Sequence, residues 1–82
     1  MLGKNYLDSI TNKHNYIKMS ERILDGMPSI KGSEIPVTLI ITCLRDGMSI
    51  DEICEGYNLS EEIVIASIEY VIDVLNKPFN RK

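Results

Sequence analysis

Two helix starts stand within residues 48 to 70, and together they constrain the fold more than any other stretch of the chain. The first is Ser49, with Glu52 three residues on. In such a capping box each side chain satisfies an orphan backbone amide of the other, and Met48 and Ile53 can staple across the start. The second is Ser60, followed by Glu61 and Glu62, whose carboxylates suit the positive end of a helix dipole, with Leu59 and Val64 at the staple positions. Gly56 is expected to end the first helix and Tyr57-Asn58 to make the turn, because glycine accepts left-handed backbone angles and asparagine tolerates them. Two helices joined this closely form a helix-turn-helix unit, an arrangement that places its second helix in a DNA groove when it reads DNA. Here the unit carries no basic residue.

The pattern on either side predicts a small β element and one further helix in front of the unit. Residues 1 to 20 are polar and mixed, with Tyr6, Leu7 and Ile10 as the apolar cluster, and read as an arm or a short helix. Ile17 and Met19 alternate with Lys18, which predicts a short strand over Tyr16 to Met19, able to pair with the next segment or with a second chain. It ends before the turn-like Asp25-Gly26-Met27-Pro28. Ser29-Ile30-Lys31 and Glu34-Ile35 flank Gly32-Ser33 as a tight hairpin or an extended loop, and Pro36 confines that strand to a sheet edge. A helix is then expected from just after Pro36 to Asp46, with Val37, Ile40, Ile41 and Leu44 on one face and Gly47 as its stop. The last helix, Glu61 to about Asn76, is the most apolar segment, and Pro78 prevents much extension beyond it.

That last helix has more apolar surface than one core requires. At about 100° per residue, Val64, Ile65, Ile68, Val71, Ile72 and Leu75 share one broad face, with Glu62, Glu69 and Asp73 as the polar stripe. A separate line, Ile63, Tyr70 and Val74, needs a cover. Either the N-terminal arm or strand folds over it, or it is a dimer or partner interface.

Size and charge bound the function. With 82 residues, 44% of them hydrophobic and 26% charged, the chain is one soluble domain small enough to gain from oligomerisation. No apolar run approaches a membrane span, and the start lacks an apolar signal region, so a cytoplasmic protein with no membrane contact is expected. Cys43 and Cys54 lie in apolar helical surroundings and read as reduced core thiols, without a disulfide, metal or other cofactor. Residues 1–48 carry six Lys or Arg against five acids, residues 49–75 carry seven acids and no base, and residues 76–82 add three bases. The acidic block and the helix-turn-helix unit coincide. Glu61 and Glu62 would repel phosphates at the start of the second helix, so any DNA contact is expected from Lys18, Arg22, Lys31 and Arg45, or from the tail Lys77, Arg81 and Lys82. His14 is the sole histidine and has no Ser or Cys partner in the pattern, and Asp51, Glu52 and Glu55 read as caps and solvent-facing charges. No enzyme is expected.

Set in order, Arg22-Ile23, Pro28, Ile30, Gly32, Ile35, Val37, Gly47, Ser49, Glu52, Ile53, Tyr57, Leu59 and Ser60, closed by Ala66 and Tyr70, resemble the domain of unknown function 433 family over about residues 22 to 70. The resemblance implies a helix-turn-helix domain with short N-terminal strands that often dimerises, some members being the antitoxin half of a pair with a PIN-like nuclease. Two departures stand out: Thr-Arg of the family pattern is Ser33-Glu34 here, reversing a charge, and Tyr-Pro is Tyr57-Asn58. The expectation is therefore a mainly α, three-helix, homeodomain-like helix-turn-helix domain over residues 22–76, with an N-terminal arm and strand over 1–21 and a basic tail over 77–82. It would dimerise and bind a protein partner, a toxin-type nuclease, through Ile63, Tyr70 and Val74, with operator DNA as a second partner. The alternative is a homodimeric DNA-binding transcriptional regulator without a toxin partner.

Overall fold

The computed structural model describes residues 4–19 and 26–77. Among them the chain forms helix α1 (Lys4–Thr11), strands β1 (Ile17–Met19) and β2 (Pro28–Ile30), and helices α2 (Val37–Arg45), α3 (Ile50–Tyr57) and α4 (Glu61–Asn76). The expected mainly helical domain with a small β element is what forms, and the N-terminal arm is a helix. Arg22-Ile23, Pro78, Arg81 and Lys82 lie outside the described residues.

β1 and β2 pair antiparallel, with Ile17 opposite Ile30 and Met19 opposite Pro28, so the strand pairs within the chain. After β2 the backbone turns tightly. The Ser33 amide donates to the Ile30 carbonyl at 3.1 Å and the Ile30 amide to the Ile35 carbonyl at 2.9 Å, while Gly32 takes a φ of 79°. Pro36 completes this edge as an isolated bridge to Ser29. It also precedes α2 in extended geometry, φ −70° and ψ 147°, where a missing amide hydrogen costs nothing. Gly47, at φ 93°, stops α2 as expected.

The two caps form as their residues require. Ser49 Oγ accepts from the Glu52 amide at 3.1 Å and Glu52 Oε1 accepts from the Ser49 amide at 2.8 Å, closing the capping box of α3. Ser60 Oγ accepts from the Ile63 amide at 3.3 Å. The end of α3 differs from expectation. Gly56 stays helical, and Asn58 makes the left-handed turn at φ 57° and ψ 51°, its amide and that of Leu59 both returning to the Cys54 carbonyl. Asparagine is the non-glycine residue that tolerates this geometry, and ending the helix two residues earlier, at Gly56, would pull Tyr57 off the core.

Two apolar clusters fill the interior. Ile30, Ile40, Cys43, Ile53 and Val64 form the main one, with Met48, Leu59 and Tyr57 packed against it, so both staples reach the same core. Cys43 occupies the buried face of α2 together with Val37 and Ile40. The second cluster joins Ile10 of α1, Ile17 of β1, Val37 of α2 and Tyr70 of α4, with Val71 and Val74 packed on it. Tyr70 is 3% exposed, and its hydroxyl lies 2.8 Å from Thr11 Oγ1. His14 adds an outer tie, its Nε2 donating to Asp73 Oδ2 at 3.0 Å while its ring meets Tyr70 edge-on at 5.2 Å.

These contacts split the expected broad face of α4: Val64, Ile68 and Val71 pack inward and the rest of it does not. The Tyr70 and Val74 line is covered by α1, the first of the two covers open to it, and Ile63 packs against the main core. Of the broad face, Val64 is buried, whereas Ile65, Ile72 and Leu75 are 38%, 51% and 65% exposed. The physical reason is that α1 supplies a second wall, so α4 buries both flanks of the Val64–Tyr70 side and turns its remaining isoleucines outward.

The Thr11–Tyr70 bond gives a direct test. Tyr70→Phe or Thr11→Val alone leaves a buried hydroxyl without its partner and is expected to cost about 1–3 kcal/mol by urea denaturation. The double variant should lose clearly less than the sum. Strict additivity would show that the two hydroxyls do not meet.

Candidate functional site

The N-terminal half of α4 carries the acidic surface of the domain. Ser60 starts the helix so that Glu61 and Glu62 occupy its first turn, where the helix dipole favours carboxylates. Both are exposed, as are Glu69, Asp51, Glu52 and Glu55. Tyr16, just ahead of β1, reaches across to Glu62. Together with Glu61, Ile65, Ala66 and Glu69 they line an open cleft of about 450 Å³. Hydrogen bonding to the Glu62 carboxylate, then its charge, pushes the Tyr16 phenol above its ordinary 10.0, since the neutral hydroxyl is the better donor.

Further along α4 the surface changes character. Leu7, Met27, Val37, Val71, Val74 and Leu75 line an apolar groove of about 250 Å³ between α1, the start of α2 and the C-terminal half of α4. Tyr70 forms part of its lining but is only 3% exposed, so it offers a partner little surface. Of the expected interface residues, Ile63 and Val74 are half-buried and Tyr70 is buried, with α1 and the main core packed against them.

The basic residues divide. Lys18 of β1 and Lys31, just after β2, come together on a cleft of about 270 Å³ that also includes Asn12, His14, Asn15 and the acidic Asp8. Arg45 does not line this cleft. It sits exposed at the end of α2, its Nε donating to Asp46 Oδ1 at 3.1 Å. Arg22 lies outside the described residues, as do the tail's Arg81 and Lys82, and Lys77 is exposed at the end of α4.

The thiols are set for packing. Cys43 Sγ lies 3.8 Å from the Tyr57 hydroxyl, and both cysteines are free. Desolvation, followed by the charges of Asp51 and Glu61, raises the Cys54 thiol above its ordinary 9.0, which keeps it protonated near neutrality and poor as a nucleophile. Among the described residues no three His, Cys, Asp or Glu side chains gather at metal-binding distance.

The sequence pattern missed Tyr16, because its partner Glu62 is remote in the chain, and it missed the outward row of Ile65, Ile72 and Leu75. A signal for that row was present: with Ile68 it repeats at intervals of three, four and three residues.

A small helical domain with one β-hairpin-like element, an acidic helix face and a basic corner is thus the class defined by fold and surface. The chain belongs to the family described as protein of unknown function (DUF433), whose sequence profile matches residues 17–71. The matched segment begins at β1, five residues ahead of the resemblance read from the motifs, and leaves α1 outside it. No curated protein and no solved structure matches the chain. Among the described residues no helix is long and apolar enough to cross a membrane.

The tyrosines give the site a pH signature. Tyr16 is raised by Glu62, Tyr57 by its contact with Cys43, and Tyr70 by burial, which outweighs the opposing Thr11 hydrogen bond. Each folded-state phenol therefore holds its proton more tightly than the unfolded one. The associated stability is complete below pH 10.0 and is lost as pH rises through the folded values. Tyrosinate absorbance should appear later in the folded protein than in the denatured chain, and the urea midpoint should fall above that pH. Coincident titrations of folded and denatured protein would contradict these contacts.

Proposed function

We propose that the chain is an antitoxin-like helix-turn-helix protein that acts by binding a protein partner, a toxin-type nuclease, with operator DNA as a second contact. The observation that carries this reading is the α3–α4 surface: six of the seven acids between residues 49 and 75 are exposed, and the block contains no base to neutralise them. A nuclease cleft is basic because it holds a polyanion, and a protein surface with the same sign of charge as that polyanion can occupy it. The exposed apolar side chains of α4 add the desolvated contact area that charge alone does not supply. Dimerisation belongs to the same reading, through the Leu7, Met27 and Val37 side of the apolar groove beside α1, which leaves the outward row of α4 free. Use of the chain in the cytoplasm follows from such a partner.

A second reading has one specific observation in its favour. Lys18 and Lys31 share a cleft with the side chains of Asn12 and Asn15, which suits a phosphate better than isolated surface lysines do. In that reading the protein is a homodimeric transcriptional regulator without a toxin partner, contacting the DNA backbone from its β element rather than from α4.

Affinity purification of the tagged protein from its own host, before and after nuclease treatment, separates the two. The first reading expects a small protein at equal stoichiometry that survives the treatment and is lost from the Glu61→Lys/Glu62→Lys variant. Recovery of the chain alone, with only DNA lost on treatment, abandons the partner. The regulator reading then expects Lys18→Ala and Lys31→Ala each to reduce the salt dependence of operator affinity by about one phosphate contact.

A further inference from the structure

We propose that the outward side of α4 is a docking seam for a basic amphipathic helix of the partner, which packs apolar side chains along Ile65, Ile68, Ile72 and Leu75 and sets Lys or Arg against Glu61, Glu62 and Glu69. This rests on the reading that the chain acts through a protein, and adds the surface used and the form and charge of what it takes.

The spacing is the first argument. Intervals of three, four and three residues keep these side chains on one line of a helix, the repeat that lets a second helix interdigitate its own apolar row. The row spans residues 65–75, ten helical rises or about 15 Å at 1.5 Å per residue. Exposure along it is 38% at Ile65, 51% at Ile72 and 65% at Leu75, and these three are the exposed large hydrophobics among the described residues. Ile68 is half-buried and ties the row to the main core, so the seam stands on a rigid support.

Charge selects the occupant. Nucleic acid is repelled by Glu61 and Glu62. A second copy of α4 offers no base in return: in a parallel pair Glu69 lies across from Val64 of the other helix, and residues 61–76 contain no Lys or Arg. In an antiparallel pair the middle of the row falls beside Glu69, which faces itself, and only Lys77 near each end offsets the acids. A helix carrying Lys or Arg beside its apolar row has neither problem. The cleft between Tyr16 and α4 lies next to Ile65 and is large enough for one long basic side chain. Glu61, Glu62 and Glu69 all line that cleft, so a guanidinium or ammonium entering it meets carboxylates.

The test uses the full-length protein with two synthetic helices about three heptads long, identical in their Ile and Leu row and differing only in having Lys or Glu at the flanking positions. Binding by fluorescence anisotropy is expected to favour the Lys helix by at least about tenfold at low salt, to be lost in Ile72→Asp, and to reverse toward the Glu helix in Glu62→Lys/Glu69→Lys. All three sites are exposed, so circular dichroism and the melting temperature should stay near those of the parent protein. Failure to bind either helix, or equal binding of both, overturns the proposal. So does a dimer in sedimentation that Ile72→Asp dissociates, because the seam then belongs to a second copy. If the protein captured from the host is retained by Ile72→Asp, the seam is wrong while the partner reading stands. If the Lys helix binds with the charge reversal but no host protein is captured, the partner reading fails and the seam stands.

Discussion

A buried phenol requires a hydrogen-bonding partner, and the position of Tyr70 inside the domain makes that requirement organise the rest of the structure. Thr11 meets it from α1, a part of the chain 59 residues away. The bond holds α1 against α4, which closes the second apolar cluster over Ile10, Ile17 and Val37. His14, in the turn that follows α1, fastens the same corner through Asp73 and the edge of the Tyr70 ring. Once the arm is seated, the rotation of α4 is settled. Val64 and Tyr70 mark the two sides of its buried face, and Ile65, Ile72 and Leu75 are left outside. The outward face thus follows from the two clusters that take up Val64 and Tyr70.

Charge then decides what that face can do. The acids of α3 and α4 serve locally at first: Glu52 closes a capping box and Glu61 and Glu62 favour a helix start. With no base among residues 49–75, the same carboxylates sum to a negative field over the only surface where large apolar side chains are exposed among the described residues. On the function proposed above, that field favours a basic protein surface over a nucleic acid. The lysines that could face phosphate sit at the β element, so the domain separates its two signs of charge.

Local features were legible in the sequence because the groups that make them are neighbours in the chain. The capping box joins residues three apart, the staples Met48–Ile53 and Leu59–Val64 span one turn each, and α4 begins and ends where its cap and its apolar pattern place it. Strand β1 followed from alternation, whereas its partner, open between the next segment and a second chain, was decided only by the fold. The turn after α3 was nearly legible: both Gly56 and Asn58 accept left-handed geometry, and the choice of Asn58 depends on Tyr57 staying against the core. The buried face of α4 was not legible, since periodicity identifies two apolar lines but only the seating of α1 says which is inside. For the same reason the inward packing of Ile63, Tyr70 and Val74 was not legible, and the approach of Lys18 to Lys31 emerged only when β1 and the end of β2 came together.

The most direct measurement is solvent paramagnetic relaxation of methyl-labelled protein, with the isoleucine, leucine and valine methyls assigned. With the arm seated, a soluble paramagnetic agent broadens Ile65, Ile72 and Leu75 strongly and leaves Ile10, Ile17 and Val64 sharp, in keeping with their 0–2% exposure. If Ile10 and Ile17 broaden as much as Ile72, α1 does not cover Tyr70, and the assignment of inner and outer faces of α4 is contradicted.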